Sequence, residues 1–240
     1  VPRVALFVTC LIDQLFPGIG RATVRVLERV GCTVEFPAGQ TCCGQATFND
    51  GFHGEARILA RQTLDALADA DHVVVPSGSC AVMIREFYPH LFEEEPAYAE
   101  RARALARRTY ELSEYLVRVR AVTDVGAELP AAVAYHASCH GLRGIGLRDE
   151  PRRLLAAVRG LRLVELAGEE ECCGFGGFFS VKFSGLSGAM LASKIDALEA
   201  ASAEVVTATD ASCLMHIAGG LARRGSRIRA MHLAEVLAAP

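Results

Sequence analysis

No apolar run in this sequence approaches the roughly 18 residues that a membrane-spanning helix requires, so no integral membrane segment is expected. Nor is there a block of charge of either sign. The 25 basic and 28 acidic residues leave a net charge of −3, which argues against a nucleic-acid partner. The stretch Val1-Pro2-Arg3-Val4-Ala5-Leu6-Phe7-Val8 lacks the basic flank, long apolar core and cleavage signal of a secretory leader, so the expected compartment is the reducing cytoplasm. A P-loop, a His-Glu-x-x-His pair and a locatable Ser-His-Asp arrangement are all missing, which removes the commonest hydrolase signatures. What remains is a 240-residue chain, 51% apolar, long enough to bury a core without the help of disulfides.

The nine cysteines are more than packing explains, and their positions repeat. Laying the second half over the first at an offset of about 130 residues places Val4-Ala5-Leu6-Phe7-Val8-Thr9-Cys10 on Val133-Ala134-Tyr135-His136-Ala137-Ser138-Cys139. Thr41-Cys42-Cys43-Gly44 then falls on Glu171-Cys172-Cys173-Gly174, and the stretch ending in Cys80 falls on the stretch ending in Cys213. Arg108-Thr109-Tyr110-Glu111-Leu112 likewise resembles Arg229-Ala230-Met231-His232-Leu233. Two units are expected, residues 1–126 and 127–240, divided by a linker near Val125 to Ala132 that holds Gly126 and Pro130.

Between the repeated cysteines lie segments with helical apolar spacing, Ile19 to Val30, Glu55 to Leu67, Pro151 to Val158 and Ser187 to Ala200. Each half therefore alternates strand and helix. The fold class this predicts is α/β, two pseudo-symmetric repeats that each carry a mainly parallel sheet flanked by helices. The cysteines follow the strand ends, the edge at which ligands of such sheets gather. Cys10, Cys42, Cys43 and Cys80 should meet in one pocket, and Cys139, Cys172, Cys173 and Cys213 in another. The longer segment Phe87 to Arg107, with Glu93-Glu94-Glu95-Pro96, reads as a solvated helical insertion.

Clustered thiols are normally bound to metal or oxidised in pairs. Adjacent cysteines bridge each other poorly, because a disulfide wants its Cα atoms farther apart than neighbours comfortably stand. On a tight turn that the following Gly44 or Gly174 permits, both thiols can face one polynuclear cluster. Four thiolates fit tetrahedral zinc or a [4Fe–4S] cluster. The lack of Cys-x-x-Cys knuckles and the Cys-Cys-Gly turns favour the iron–sulfur cluster, with all eight of these cysteines as ligands.

The order Cys, Cys-Cys-Gly, Cys, repeated once, resembles the cysteine-rich CCG domain of the heterodisulfide reductase B subunit and the iron–sulfur subunit of glycolate oxidase. Pro76-Ser77-Gly78-Ser79-Cys80, Cys172-Cys173-Gly174-Phe175-Gly176-Gly177 and Met231-His232-Leu233-Ala234-Glu235 are closer still to the lactate-utilization members of that family. The resemblance implies an iron–sulfur electron-transfer subunit that works with other subunits of a lactate-oxidation complex, ferredoxin-type iron–sulfur proteins among them, to convert L-lactate to pyruvate. A zinc-stabilised scaffold and a thiol–disulfide oxidoreductase of the heterodisulfide reductase type are the alternatives. In the heterodisulfide reductase pattern a further cysteine stands three residues before the last one, where this chain has Ser77 and Asp210. That departure points away from the noncubane cluster of those enzymes and toward an ordinary four-thiolate cluster or two unequal sites.

His136 and His140 bracket Cys139, whereas Thr9 and Leu11 flank Cys10, so the two sites differ chemically. Both histidines are expected to be hydrogen-bonded structural groups. Gly174-Phe175-Gly176-Gly177 lacks nucleotide-loop spacing, Arg143 and Lys182 read as surface cations, and Cys32, outside the repeat, reads as a buried free thiol.

Overall fold

The computed structural model describes residues 1–240. In the first half, β1 (Arg3–Leu6) leads through α1 (Cys10–Leu15) and α2 (Pro17–Arg29) to β2 (Thr33–Glu35). α3 (Gln45–Asn49) and α4 (His53–Ala66) then precede β3 (His72–Val75). α5 (Gly78–Val82) runs on through a π-helical turn, Met83–Phe87, into α6 (Tyr88–Leu91) and α7 (Pro96–Ala106). β4 (Thr109–Glu111) and α8 (Leu112–Glu114), extended by a second π turn at Tyr115–Val119, close the half. The second half repeats the plan: β5 (Ala132–Tyr135), α9 (Cys139–Gly144), α10 (Glu150–Ala156), β6 (Arg162–Val164), α11 (Phe179–Lys182), α12 (Ser184–Ala200), β7 (Val205–Ala208), α13 (Ala211–Arg224), β8 (Arg229–His232) and α14 (Leu233–Leu237).

Each half holds a four-stranded, all-parallel sheet, ordered β2-β1-β3-β4 and β6-β5-β7-β8. The α/β class and the two-repeat plan are those the sequence predicts. The central strands β3, β5 and β7 are mostly apolar and almost wholly buried because helices cover both faces, while edge strands β2 and β6 are shorter and more exposed. The charged insertion is less solvated than expected: α7 buries Ala99, Ala102 and Leu105 against α4 and the π turn, and Glu95 pairs with Arg61 at 2.6 Å.

The halves exchange their last elements. α14 of the second half lies on α2 of the first, and α8 with its π turn lies on α10 of the second. Arg29 reaches the end of α14, donating to the carbonyls of Leu237 at 3.2 Å and Ala238 at 3.1 Å, which satisfies acceptors left open at a helix C-terminus. Arg118 of the first half bonds Glu150 of the second at 2.7 Å. One apolar core accordingly spans both halves, with Ile12, Leu27 and Tyr115 beside Leu142, Leu155 and Leu237.

The same exchange brings the cysteine-bearing ends together. α5 packs on α9, so closely that a methyl group on Gly78 would stand 2.9 Å from the Gly141 Cα. α13 likewise meets α1. The junction of the halves thus lies over the crevice that opens between β1 and β3 and between β5 and β7, where ligands of doubly wound sheets bind.

Candidate metal centre

Cys10 and Cys139 open α1 and α9 directly after the first strand of each half, and Cys80 and Cys213 sit in the first turns of α5 and α13 after the third. Cys42-Cys43 and Cys172-Cys173 lie in the loops after β2 and β6. Each loop is turned by a glycine in the left-handed region, Gly44 at φ 84° and Gly174 at φ 90°, and the space beside Gly174 is closed, since a Cβ there would meet the Ser187 carbonyl at 2.7 Å. The loops are then pinned from below. Tyr88 donates to the Cys43 carbonyl at 2.8 Å, and Ser187 donates to the Gly174 carbonyl at 2.8 Å.

In the first half the Cys10 and Cys42 sulfurs are 3.7 Å apart, and those of Cys43 and Cys80 3.3 Å. In the second, Cys173 and Cys213 lie with a nitrogen of His136 in a group whose ligand atoms are all within 4.8 Å of one another. The two sets were expected in two pockets. Instead all eight cysteines line a single cavity of about 250 Å³, together with Ser77, Ser79, Ser138, His140 and Asp210. A larger cleft of about 660 Å³ behind α9 has no cysteine, and two of its three guanidinium groups are matched by acids, Arg148 with Glu170 at 3.1 Å and Arg152 with Glu169.

Thiol acidity follows the same pattern at the first cysteine and the adjacent pair of each set. Hydrogen bonds from Cys10 and then Cys43 hold the Cys42 thiol far below its ordinary range, with the Gly44 amide adding a bond at 3.4 Å. Cys139 and Cys173 do the same for Cys172, helped by the Gly174 amide at 3.3 Å. The donors pay in turn: Cys10 and Cys139 are pushed up by those bonds and then by burial, as are Cys43 and Cys173. Cys213 is lowered to about 6, first by its bond with Cys173, with His136 contributing against the opposing effect of burial. Each set therefore has a sulfur ready to be a thiolate, the form that binds metal. Soft thiolates grouped on rigid strand ends fit an iron–sulfur cluster or zinc, and a hard cation poorly.

Ser77 and Asp210, where the heterodisulfide reductase pattern has cysteines, face each other across the junction. Ser77 Oγ donates to Asp210 Oδ1 at 2.7 Å, and the Oγ and backbone N–H of Ser79 donate to the same oxygen at 2.7 and 3.1 Å. They contribute no sulfur but tie the two halves at the cavity floor. The repeat alignment marked both positions as departures, yet one-dimensional alignment carries no sign that they touch.

The expectation of hydrogen-bonded histidines fails for His136. It is fully buried, and neither ring nitrogen has a partner. His140 Nδ1 is 3.7 Å from the Cys139 sulfur. Arg143 donates to the Glu170 carbonyl at 3.2 Å, Lys182 lies 5.8 Å from the Phe183 ring, and Cys32 is a buried free thiol 3.8 Å from the Tyr115 hydroxyl.

The cysteine-rich domain called CCG matches the chain twice, over residues 4–85 and 133–218. Over nearly their full lengths, curated relatives align at about half identity. Lactate utilization protein A of Exiguobacterium sp. is 50% identical over 239 residues, covering 99% of this chain and 97% of its own. The proteins of the same name from Geobacillus kaustophilus and Bacillus subtilis are 51% and 47% identical over 235 residues, covering 98% of both chains in each case. Among solved structures, an aspartate racemase homologue from Pyrococcus horikoshii OT3 covers 99% of this chain and 96% of its own, at 11% identity and a TM-score of 0.34.

Proposed function

The chain belongs to the cysteine-rich CCG domain family, and from that premise we propose that it is the iron–sulfur electron-transfer subunit of a cytoplasmic L-lactate-oxidising system, acting with partner iron–sulfur proteins. The observation that carries the reading is the convergence of two matching sets of four cysteines on one cavity at the junction of the halves. The relatives' name, Lactate utilization protein A, supports lactate as the substrate. Cys10, Cys42, Cys43 and Cys80 would hold one cluster, of the [4Fe–4S] type, and Cys139, Cys172, Cys173 and Cys213 another. Such clusters supply one-electron capacity, which lets the two electrons released when lactate becomes pyruvate pass on singly.

The chain's own part is to hold ionised sulfurs and shield them. Cys42 and Cys172 are the thiolates most easily formed, and the buried Cys43, Cys80, Cys173 and Cys213 keep the inner side of the cavity away from solvent. The segment running from the cavity-lining Gly177 exposes Phe178, Val181, Phe183 and Leu186, an apolar surface that a partner iron–sulfur protein would meet on its way to the cavity. No helix is long and apolar enough to cross a membrane.

A second reading has an observation of its own. Sulfur separations of 3.7 and 3.3 Å are close to the edge of a tetrahedron built on zinc–sulfur bonds, roughly 3.8 Å for bonds of about 2.3 Å, which suits a zinc-stabilised scaffold whose thiols keep one redox state. Anaerobic purification with iron, acid-labile sulfide and zinc analysis separates the two. Visible absorption that bleaches on reduction, with iron and sulfide in equal amounts, is the expected result. A colourless protein with stoichiometric zinc assigns the scaffold role instead.

A further inference from the structure

We infer that the second cysteine set is completed by an imidazole: His136 is a ligand, beside Cys173 and Cys213, of the metal centre held there, and the first set has no such donor. The inference rests on the reading that the cysteines hold a metal centre, and adds which of the two sites is chemically distinct and why.

His136 and Phe7 occupy one place in the fold. The amide of Phe7 donates to the Val74 carbonyl at 2.9 Å and that of His136 to the Thr207 carbonyl at 2.8 Å, each one residue past a matching strand pair, Leu6 with Val74 and Tyr135 with Thr207. Both side chains are fully buried. Phe7 packs in the same apolar cluster as Cys43 and Cys80, the counterparts of Cys173 and Cys213. The second half therefore carries an imidazole where the first carries a phenyl ring.

An apolar ring in that place needs no partner. An imidazole does: both nitrogens of His136 are buried without a hydrogen bond, and buried polar side chains nearly always have one. The atoms nearest to a role are the sulfurs of Cys173 and Cys213, within 4.8 Å of a ring nitrogen and of each other. Two thiol sulfurs and an imidazole nitrogen at that spacing are a recurrent donor set for iron and zinc. His140, half exposed at the rim beside Cys139, is bonded to that thiol and is not orphaned. The imidazole takes the place of one of the four thiolates assigned to this centre, one other than Cys173 and Cys213, and a neutral donor there raises the reduction potential, so the second centre is the easier to reduce.

The test uses the full chain, loaded with iron and sulfide anaerobically, reduced, and carrying ¹⁵N-labelled histidine. Pulsed electron paramagnetic resonance should detect one strongly coupled histidine nitrogen. The coupling disappears in His136→Phe, which installs the ring the first half already uses, and in Cys173→Ser, and it survives in His140→Phe and Cys43→Ser. In a redox titration the two centres of His136→Phe move closer together in potential. His136→Gln serves where the phenylalanine variant is poorly folded by circular dichroism. A coupling that persists in both His136 variants, its absence from iron-loaded wild-type protein, or only the weak coupling of an N–H donor overturns the inference and leaves the proposed function standing. A chain that takes up zinc alone, with one fewer zinc in His136→Phe, supports the histidine ligand while refuting electron transfer. A chain that binds neither metal overturns both.

Discussion

The two halves share one scaffold but surround their cysteines differently. The first half places Phe7, Thr9, Leu11, Ser77 and Glu111 where the second places His136, Ser138, His140, Asp210 and His232. Strand pairing, loop glycines and thiol hydrogen bonds are repeated almost atom for atom. What differs is the chemistry of the neighbouring side chains: Phe7, Leu11 and Ser77 of the first half give way to the imidazoles of His136 and His140 and the carboxylate of Asp210 in the second, while Glu111 gives way to His232. On the proposed reading, a duplicated fold of this kind would keep two metal-binding frames while letting them diverge in potential, because donors and charges near a cluster set its potential and the strands do not.

The largest effect that can break this comparison is loss of a thiolate from either frame. Cys43→Ser and Cys173→Ser should each remove about half of the reducible visible absorption and half of the iron, one frame at a time, since a serine oxygen is a poor substitute for a soft thiolate. If either change abolishes all the absorption, the eight cysteines hold one shared centre, and the two frames are not separate sites. The shared cavity makes that a real alternative to be read out by iron counting.

Next in size is the tie between the halves. Asp210 is buried, and one of its oxygens accepts from Ser77 and twice from Ser79. Asp210→Ala strands those neutral donors but also removes a carboxylate whose second oxygen is buried without a partner, and should cost about 2 to 3 kcal/mol in urea unfolding of the metal-free, reduced protein. Ser77→Ala, which removes one donor and leaves the carboxylate with others, should cost only about 1 to 2 kcal/mol. Equal and small losses would mean that the junction is held by its apolar core and the swapped helices, with the polar floor incidental.

How far the sequence alone reached is plain from these same residues. Strand ends, helices and the pairing of the cysteine sets were legible because hydrophobic period and turn glycines are local signals that a repeat doubles. The single cavity was not, because a repeat says nothing about how its copies dock. The exchange of α8 and α14 that brings the sets together depends on contacts such as Arg29 with Leu237, between residues far apart in the chain. The Ser77–Asp210 bond was invisible for the same reason. His136 was legible as an asymmetry, but its lack of any hydrogen-bond partner is a property of its surroundings, which only the folded chain defines.

A smaller effect sharpens the comparison through pH. Glu111 and His232 occupy equivalent places and both cap the helix that follows, Glu111 by accepting from the Ser113 amide at 2.7 Å and His232 Nδ1 by accepting from the Ala234 amide at 3.1 Å. His232 also meets the Thr209 carbonyl through Nε2 at 3.0 Å, which requires the neutral ring protonated there. Burial raises the Glu111 carboxyl to about 8 and, as the first cause, lowers His232. The signs are opposite. The Glu111 contribution is present below its unfolded value of about 4.3 and is lost as pH climbs through about 8. The His232 contribution is present above about 6.5 and is lost as pH falls below it. Between about pH 4.3 and 6.5 the two slopes oppose each other and stability of the metal-free protein should change little, whereas above about 6.5 only Glu111 still titrates and stability should decline by up to a few kcal/mol toward pH 8. Glu111→Gln should abolish the alkaline decline and uncover a loss below about pH 6.5, His232→Asn should extend the decline down to about pH 4.3, and a profile unmoved by either would show that other groups set it.

Cys32 provides the smallest effect and the control for all the others. It is the one cysteine without a counterpart in the other half, and it lies in the core shared by the two halves, its sulfur 3.8 Å from the Tyr115 hydroxyl and remote in the fold from the cavity-lining thiols. Cys32→Ala removes one sulfur from a packed site and should cost on the order of 1 kcal/mol, with iron and sulfide per chain unchanged. Iron content that falls with Cys32, in protein that unfolds at nearly the wild-type urea concentration, would mean that a ninth thiol takes part in the metal chemistry and that the repeat is not the unit that binds metal.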